Sequence, residues 1–113
     1  MSPLTSAMAL KALDGLTARA EVTSENIANA NTPGYRPLKV SFEDSLKTAA
    51  GQGIDAVNAV KPKIERDNGA AQASGVRLDL QMATASMTTA RYAALIQILS
   101  LKMQQTRTAM GTN

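Results

Sequence analysis

The residues of this chain that come nearest to chemistry are a glycine pair and two carboxylates. Gly51-Gln52-Gly53-Ile54-Asp55-Ala56 has the G-x-G-x-x-G/A spacing of a loop whose bare backbone cradles a phosphate. That loop must follow a strand and open a helix. Here a helical pattern precedes it, so the segment reads as a turn. Glu21 and Glu25 lie one helical turn apart, the spacing of an acid/base pair. Nothing near them in the sequence converges to drive their proton affinities apart, so they read as a solvated helix face. The chain has no His and no Cys, which removes thiol chemistry, zinc-type ligand sets and the usual proton shuttle near neutral pH. The sequence therefore supplies no catalytic, cofactor-binding or metal-ligating residues, and it reads as a non-enzyme.

With 113 residues the chain is long enough for one modest core and too short for two. Its apolar residues are Ala, Leu, Met, Ile and Val, with Tyr35, Phe42 and Tyr92 as the aromatics. Small and unbranched apolar side chains suit helices in close approach better than a thick sheet core. The net charge of +3 is scattered along the chain, without the basic block that marks nucleic-acid or membrane binding. No apolar run approaches the ~20 residues that span a bilayer. The first residues lack a basic region before an apolar one, so no cleavable secretory signal is expected.

Three segments follow from the pattern: 1–35, a helix and its closing turn; 36–77, a short helix and a linker region; and 78–113, a second long helix. In the first, Ser2 is placed as N-cap and Pro3 at the first helical position. Leu13, Leu16, Ala20, Thr23, Ile27 and Ala30 recur at steps of three and four, a coiled-coil-like seam. Gly15 weakens that helix by roughly 1 kcal/mol relative to Ala. The helix should end by Asn31, with Asn29 and Asn31 placed for a left-handed cap. Thr32-Pro33-Gly34-Tyr35 reads as a type II turn, with Pro fixing the second position and Gly supplying the positive φ of the third.

The middle segment offers one helix, 41–50, with Ser41 and Asp44 as a capping box and Leu46 as its apolar residue. Gly51, Lys61-Pro62-Lys63, Asn68-Gly69 and the small-residue run 69–75 signal turns and extended linker with little to bury. Asn68-Gly69 fits either a hairpin or a plain turn. In the last segment Met82, Ala85, Thr89, Tyr92, Ile96, Leu99, Met103, Thr106 and Met110 hold the three-four alternation over four heptads. Asp79 is placed to cap its start and Gly111 to end it. The expected fold is all-α: two long terminal helices in a coiled-coil-like hairpin around an irregular, partly extended middle. So narrow a pair leaves apolar positions uncovered, which implies partner chains.

The run from Ser24 to Tyr35 resembles the signature of flagellar basal-body rod and hook proteins, Ser-x-Asn-x-Ala-Asn-x-x-Thr-Pro-Gly-Tyr, matched here at Ser24, Asn26, Ala28, Asn29, Thr32, Pro33, Gly34 and Tyr35. The C-terminal stretch around Arg91-Tyr92, Leu95, Leu99, Lys102 and Arg107-Thr108-Ala109 resembles the closing helix of the proximal-rod type. One departure lies at the start of that helix, where the family has Val-Asp-Leu and further acidic residues and this chain has Val76-Arg77-Leu78-Asp79-Leu80-Gln81-Met82.

The resemblance implies a structural subunit of the proximal rod, self-assembling through its terminal helices into a hollow shaft that transmits torque and conducts exported proteins. It implies export without a cleavable signal and a periplasmic place in the basal body. The implied partners are other copies of the chain, rod proteins of the FlgC type, the FliE-type adaptor and the export gate; no nucleic acid and no membrane span are expected. The expected assembly seam is Leu13, Leu16, Ala20, Ile27, Met82, Ala85, Tyr92, Ile96, Leu99, Met103 and Met110. The alternatives are another rod subunit, of the FlgC type, or a small helical export chaperone or adaptor.

Overall fold

The computed structural model describes residues 1–66 and 76–111. Asn68-Gly69 and the run 69–75, read above as turn and linker, lie outside the described residues. In chain order the elements are α1 (Pro3–Ala28), β1 (Leu38–Ser41), α2 (Glu43–Ala50), α3 (Ile54–Asn58), β2 (Lys63–Arg66) and α4 (Leu78–Ala109).

Local chemistry sets the ends of the long helices. The Ser2 hydroxyl accepts the Thr5 N–H at 3.1 Å, and Pro3 opens the helix where its missing N–H costs nothing. At the other end of α1 neither Asn takes the expected left-handed form, and among the described residues only glycines have positive φ. Asn29, at φ −102°, instead donates its side-chain amide to the Glu25 carbonyl at 2.9 Å. The Glu25 carbonyl also accepts the Asn29 backbone N–H at 3.1 Å, so the backbone and side chain of one residue close the helix together. Asp79 does not cap α4. It sits in the first turn, gripped by the Arg77 guanidinium at 3.0 and 3.2 Å, and still complements the helix dipole. Gly111, at φ 73°, closes α4 with its N–H on the Thr108 carbonyl.

The two long helices lie side by side and antiparallel, with the end of α1 at the start of α4, where Asn26 meets Gln81, and Leu10 of α1 near Leu99 and Met103 of α4. At ~1.5 Å per residue they are about 40 and 50 Å long. The molecule is correspondingly a thin slab, 61 × 29 × 14 Å.

The fold is mostly helical but not all-α. β1 and β2 form a two-stranded antiparallel sheet in register from Leu38 opposite Arg66 to Ser41 opposite Lys63. Periodicity could not show it: all of β2 is exposed, and β1 buries Val40 alone. Ser41 ends β1, so the expected capping box does not form; α2 starts at Glu43 with Phe42 in the cap position. The middle segment is also less of a linker than expected. Val40, Phe42, Leu46, Ala49 and Val57, the last with no exposed surface, pack with Leu16 and Val22 of α1 into the hydrophobic core. α4 stands beside this core: it buries Thr88 and rests Leu95 against the cluster.

Gly15 has its reason here. A Cβ at that position would lie 2.3 to 2.5 Å from three atoms of the buried Phe42 ring. The helix forgoes about 1 kcal/mol of propensity so that the ring can seat against bare backbone. Gly15→Ala is therefore expected to destabilise the fold by about 1–3 kcal/mol despite Ala's better helix propensity. Urea denaturation monitored by circular dichroism checks this, and a stabilised variant would refute the packing argument.

Candidate functional site

Asn26, only 1% exposed near the end of α1, makes four side-chain hydrogen bonds. Its amide nitrogen donates to the Leu38 carbonyl at 2.8 Å and to Gln81 Oε1 at 3.0 Å. Its oxygen accepts the Leu38 N–H at 2.9 Å and the Tyr35 hydroxyl at 3.0 Å. Both donors and both lone pairs are used. The two bonds to Leu38 are those that a neighbouring strand would make, so one side chain of α1 closes the open edge of β1. The other two bind the turn, through Tyr35, and the start of α4, through Gln81.

The turn that returns the chain to Asn26 has the expected geometry. Gly34 has φ 75°, and the Tyr35 N–H bonds the Thr32 carbonyl at 3.2 Å, as a type II turn requires. The Thr32 hydroxyl donates to Asn29 Oδ1 at 3.1 Å, tying the turn to the helix cap. Arg66, at the end of β2, lies over the Tyr35 ring at 5.4 Å and donates to the Arg36 carbonyl at 2.9 Å. Of the signature residues, the structure joins Asn26, Asn29, Thr32, Gly34 and Tyr35 into this one junction. Ser24, Ala28 and Pro33 are exposed on its outside.

Two turns before Asn26 on α1, Arg19 does parallel work. Its guanidinium forks onto Glu43 at 2.7 and 2.8 Å, donates to the Val40 carbonyl at 2.9 Å, and lies 4.9 Å from the centre of the Phe42 ring. The hydrogen bonds from Arg19 hold the Glu43 carboxyl down at about 2, against a smaller opposing effect of burial. Arg91 of α4 approaches the same carboxylate at 4.0 Å. Sequence reading missed Arg19, Glu43, Arg66 and Gln81, because nothing local marks a side chain whose partner lies 24, 30 or 55 positions away.

The apolar seam divides between cover and exposure. Leu16 is buried; Leu13, Ile27, Ala85 and Leu99 are half-buried; Ala20 is exposed. On α4, Met82, Tyr92, Ile96, Met103 and Met110 are exposed by 59, 39, 40, 63 and 77%. The line of α4 that α1 covers runs instead through Gln81, Thr84, Thr88, Leu95 and Leu99. The seam starts beside that line and drifts into it, as a strict heptad does on a straight helix. On the opposite flank Leu80, Met87, Ile98 and Leu101 are exposed as well. A groove of about 570 Å³ opens where α1 begins and α4 ends, floored by Leu10, Leu99, Met103 and Met110.

Among the described residues, neither sequence feature that could do chemistry has the surroundings it would need. The glycine loop lies between α2 and the five-residue α3, with no strand before it, so the phosphate-loop context is missing. Glu21 and Glu25 are exposed. Among the described residues no acidic cluster could hold a metal, and no helix is long and apolar enough to cross a membrane.

A long helix with two bare apolar flanks, and a turn locked to the helix that precedes it, define a structural building block. Comparison with known proteins agrees: residues 5–36 match the family described as flagella basal body rod protein. The chain is also similar to the flagellar basal body rod proteins FlgB of Escherichia coli K12 and of Shigella flexneri, each 42% identical over 50 residues. Those matches cover 44% of this chain and 36% of the relative, so the chain aligns with about a third of the length of these curated relatives. No solved structure matches. Over less than half of its length the chain is thus similar to flagellar basal-body rod proteins of the FlgB type.

Two outcomes follow from the junction. Tyr35→Phe removes one of four bonds to Asn26 and is expected to cost about 1 kcal/mol, whereas Asn26→Ala strands both backbone groups of Leu38 and costs about 2–4 kcal/mol. Faster amide exchange at Leu38 in the second variant is the local readout, and equal costs would count against the bonding scheme.

The ion pair gives a pH dependence of definite sign. Because folding depresses the Glu43 pKa from 4.5 to about 2, its contribution is complete above the ordinary value and is lost as pH falls through the folded one. Half of the Glu43 side chain faces solvent, so that contribution is about 1 kcal/mol, well short of the full shift. Denaturation midpoints should fall between pH 4.5 and 2, and Glu43→Gln should flatten that part of the profile.

Proposed function

We propose that this protein is a structural subunit of the proximal rod of the bacterial flagellar basal body, and that it acts by assembly and not by catalysis. The observation that carries this reading is α4: a helix of 32 residues that buries only Thr88 and leaves nine large apolar side chains, Leu78 to Met103, exposed, with exposed Met110 in its cap. A soluble monomer has no use for so long an uncovered apolar surface, and neighbouring subunits would cover it. The family match at the N-terminal helix and turn supports the same reading.

In this proposal the segments 1–35, 36–77 and 78–113 form one axial assembly domain, and α1 and α4 work as a coiled-coil-like pair. The exposed part of the seam, Ala20 with Met82, Tyr92, Ile96, Met103 and Met110, together with the bare opposite flank of α4, is the contact surface between copies. Repeated head-to-tail contacts that do not close on themselves give an open helical array, here a short hollow shaft for torque transmission and protein export. The neighbours would be rod proteins of the FlgC type, a FliE-type adaptor and the export gate. The subunit would reach its periplasmic place by flagellar export, without a cleavable signal peptide.

The test uses the exposure of the seam. Ile96→Asp and Met103→Asp put charges on surface that is open in the single subunit, so the isolated chain should change in stability by no more than about 0.5 kcal/mol. In a polymer the same charges become buried and unpaired, at a cost of several kcal/mol per contact. The expected result is normal stability with loss of basal bodies and motility. Wild-type motility, or absence of the unaltered chain from purified basal bodies, would refute the proposal.

A further inference from the structure

We infer that the bare flank of α4 is bound by the outer face of α1 from a neighbouring copy, the two running antiparallel, with Arg91 opposite Glu25 and Lys102 opposite Asp14. The inference rests on the assembly reading above and adds to it which faces meet and in what register.

It begins from the faces that the single chain leaves open. α1 turns Gly15, Arg19, Val22 and Asn26 toward the core and β1, and Leu16 and Ala20 toward α4. At about 100° per residue, Asp14 and Glu25 fall on the remaining side, with Glu21 between them at the edge of the cleft toward α4. All three are exposed, and among the described residues none takes part in an ion pair. Exposed Leu10 lies at the edge of that side, where it also floors the groove toward α4.

α4 is its electrostatic complement. After Asp79 every charged residue of that helix is basic: Arg91, Lys102 and Arg107. At about 100° per residue Arg91 and Lys102 fall between the line toward α1 and the flank that carries the exposed Met87 and Ile98; Arg91 lies 4.0 Å from Glu43, and Lys102 borders the groove floored by Leu10 and Leu99. Eleven positions separate Arg91 from Lys102, and eleven separate Asp14 from Glu25. Eleven residues make close to three turns, about 16 Å, so both pairs of charges stay on one face of their helix and have the same spacing. Copies that point the same way in an open array set α4 of one antiparallel to α1 of the next, because the two helices are antiparallel within each copy. In that orientation both pairs are satisfied together. Exposed pairs of this kind contribute register and association rate more than affinity, with the apolar side chains between them supplying contact.

The chain has no cysteine, so the contact can be tested by placed disulfides in the full-length protein. A chain carrying both Glu25→Cys and Arg91→Cys should form a ladder of cross-linked multimers on mild oxidation, in solution and in isolated basal bodies. Glu25→Cys or Arg91→Cys alone should stop at traces of dimer. Asp14→Lys with Glu25→Lys, and Arg91→Glu with Lys102→Glu, should each weaken self-association about tenfold at low salt, and mixing the two variants should restore it. All four side chains are exposed, so circular dichroism should show both variants folded. No ladder from the double-cysteine chain, or a mixture as weak as its components, overturns the inference. If the unaltered chain is still found in basal bodies, the assembly reading survives and only this contact is wrong; its absence there overturns both.

Discussion

A strand laid against a helix leaves one row of backbone donors and acceptors facing side chains instead of another strand, and in this protein that row must be satisfied from α1. Asn26 and Arg19 do so. Asn26 meets both backbone groups of Leu38, and two turns away Arg19 meets the carbonyl of Val40 while holding Glu43. The pitch of the helix and the rise of the strand bring the two rows into step. From this follow the position of the sheet, the seating of Phe42 against Gly15, and the direction in which the chain leaves the turn.

The hierarchy of stabilisation is correspondingly uneven. Dense packing and satisfied polar groups are concentrated between α1 and the middle segment, where Val57 and Asn26 are fully enclosed. Along α1 and α4 the contact is thin and has Thr88 at its centre. A hydroxyl there gives less apolar burial than Val or Leu would. The small middle unit is thus the rigid part, and α4 is a long lever fixed to it mainly through Gln81, Thr88 and Leu95.

Sequence reading found the parts whose causes are local. Pro3 after Ser2, the Thr-Pro-Gly-Tyr turn and the glycine closing the last helix all act within five residues, and each is where the pattern put it. What it missed acts at a distance. Asn26 looks like a helix-end residue, but its partners are 9, 12 and 55 positions away. β1 and β2 carry Lys39, Lys63, Glu65 and Arg66 in place of an alternating pattern, because a sheet of two short strands against one helix needs a single buried side chain, Val40. The core draws few residues from each of four elements, so no single segment of the middle looks hydrophobic enough to fold. The seam of α4 was legible as apolar, but periodicity could not say that α1 would cover only Ala85 and Leu99 of it, and those in part.

The placement of the core has a kinetic meaning. All of its buried residues lie between Leu16 and Val57, so the first half of the chain contains what it needs to collapse, through loops of a few dozen residues at most. Pairing α4 with α1 must instead close loops of fifty to a hundred residues for a thinly packed interface, and loop closure and weak reward both delay that step. α4 is then the last element to settle and the first to open, and its amides should exchange with solvent long before those of Leu46 or Val57. An element with that exchange behaviour can trade its contact with its own α1 for one with another chain without disturbing the unit to which it is attached.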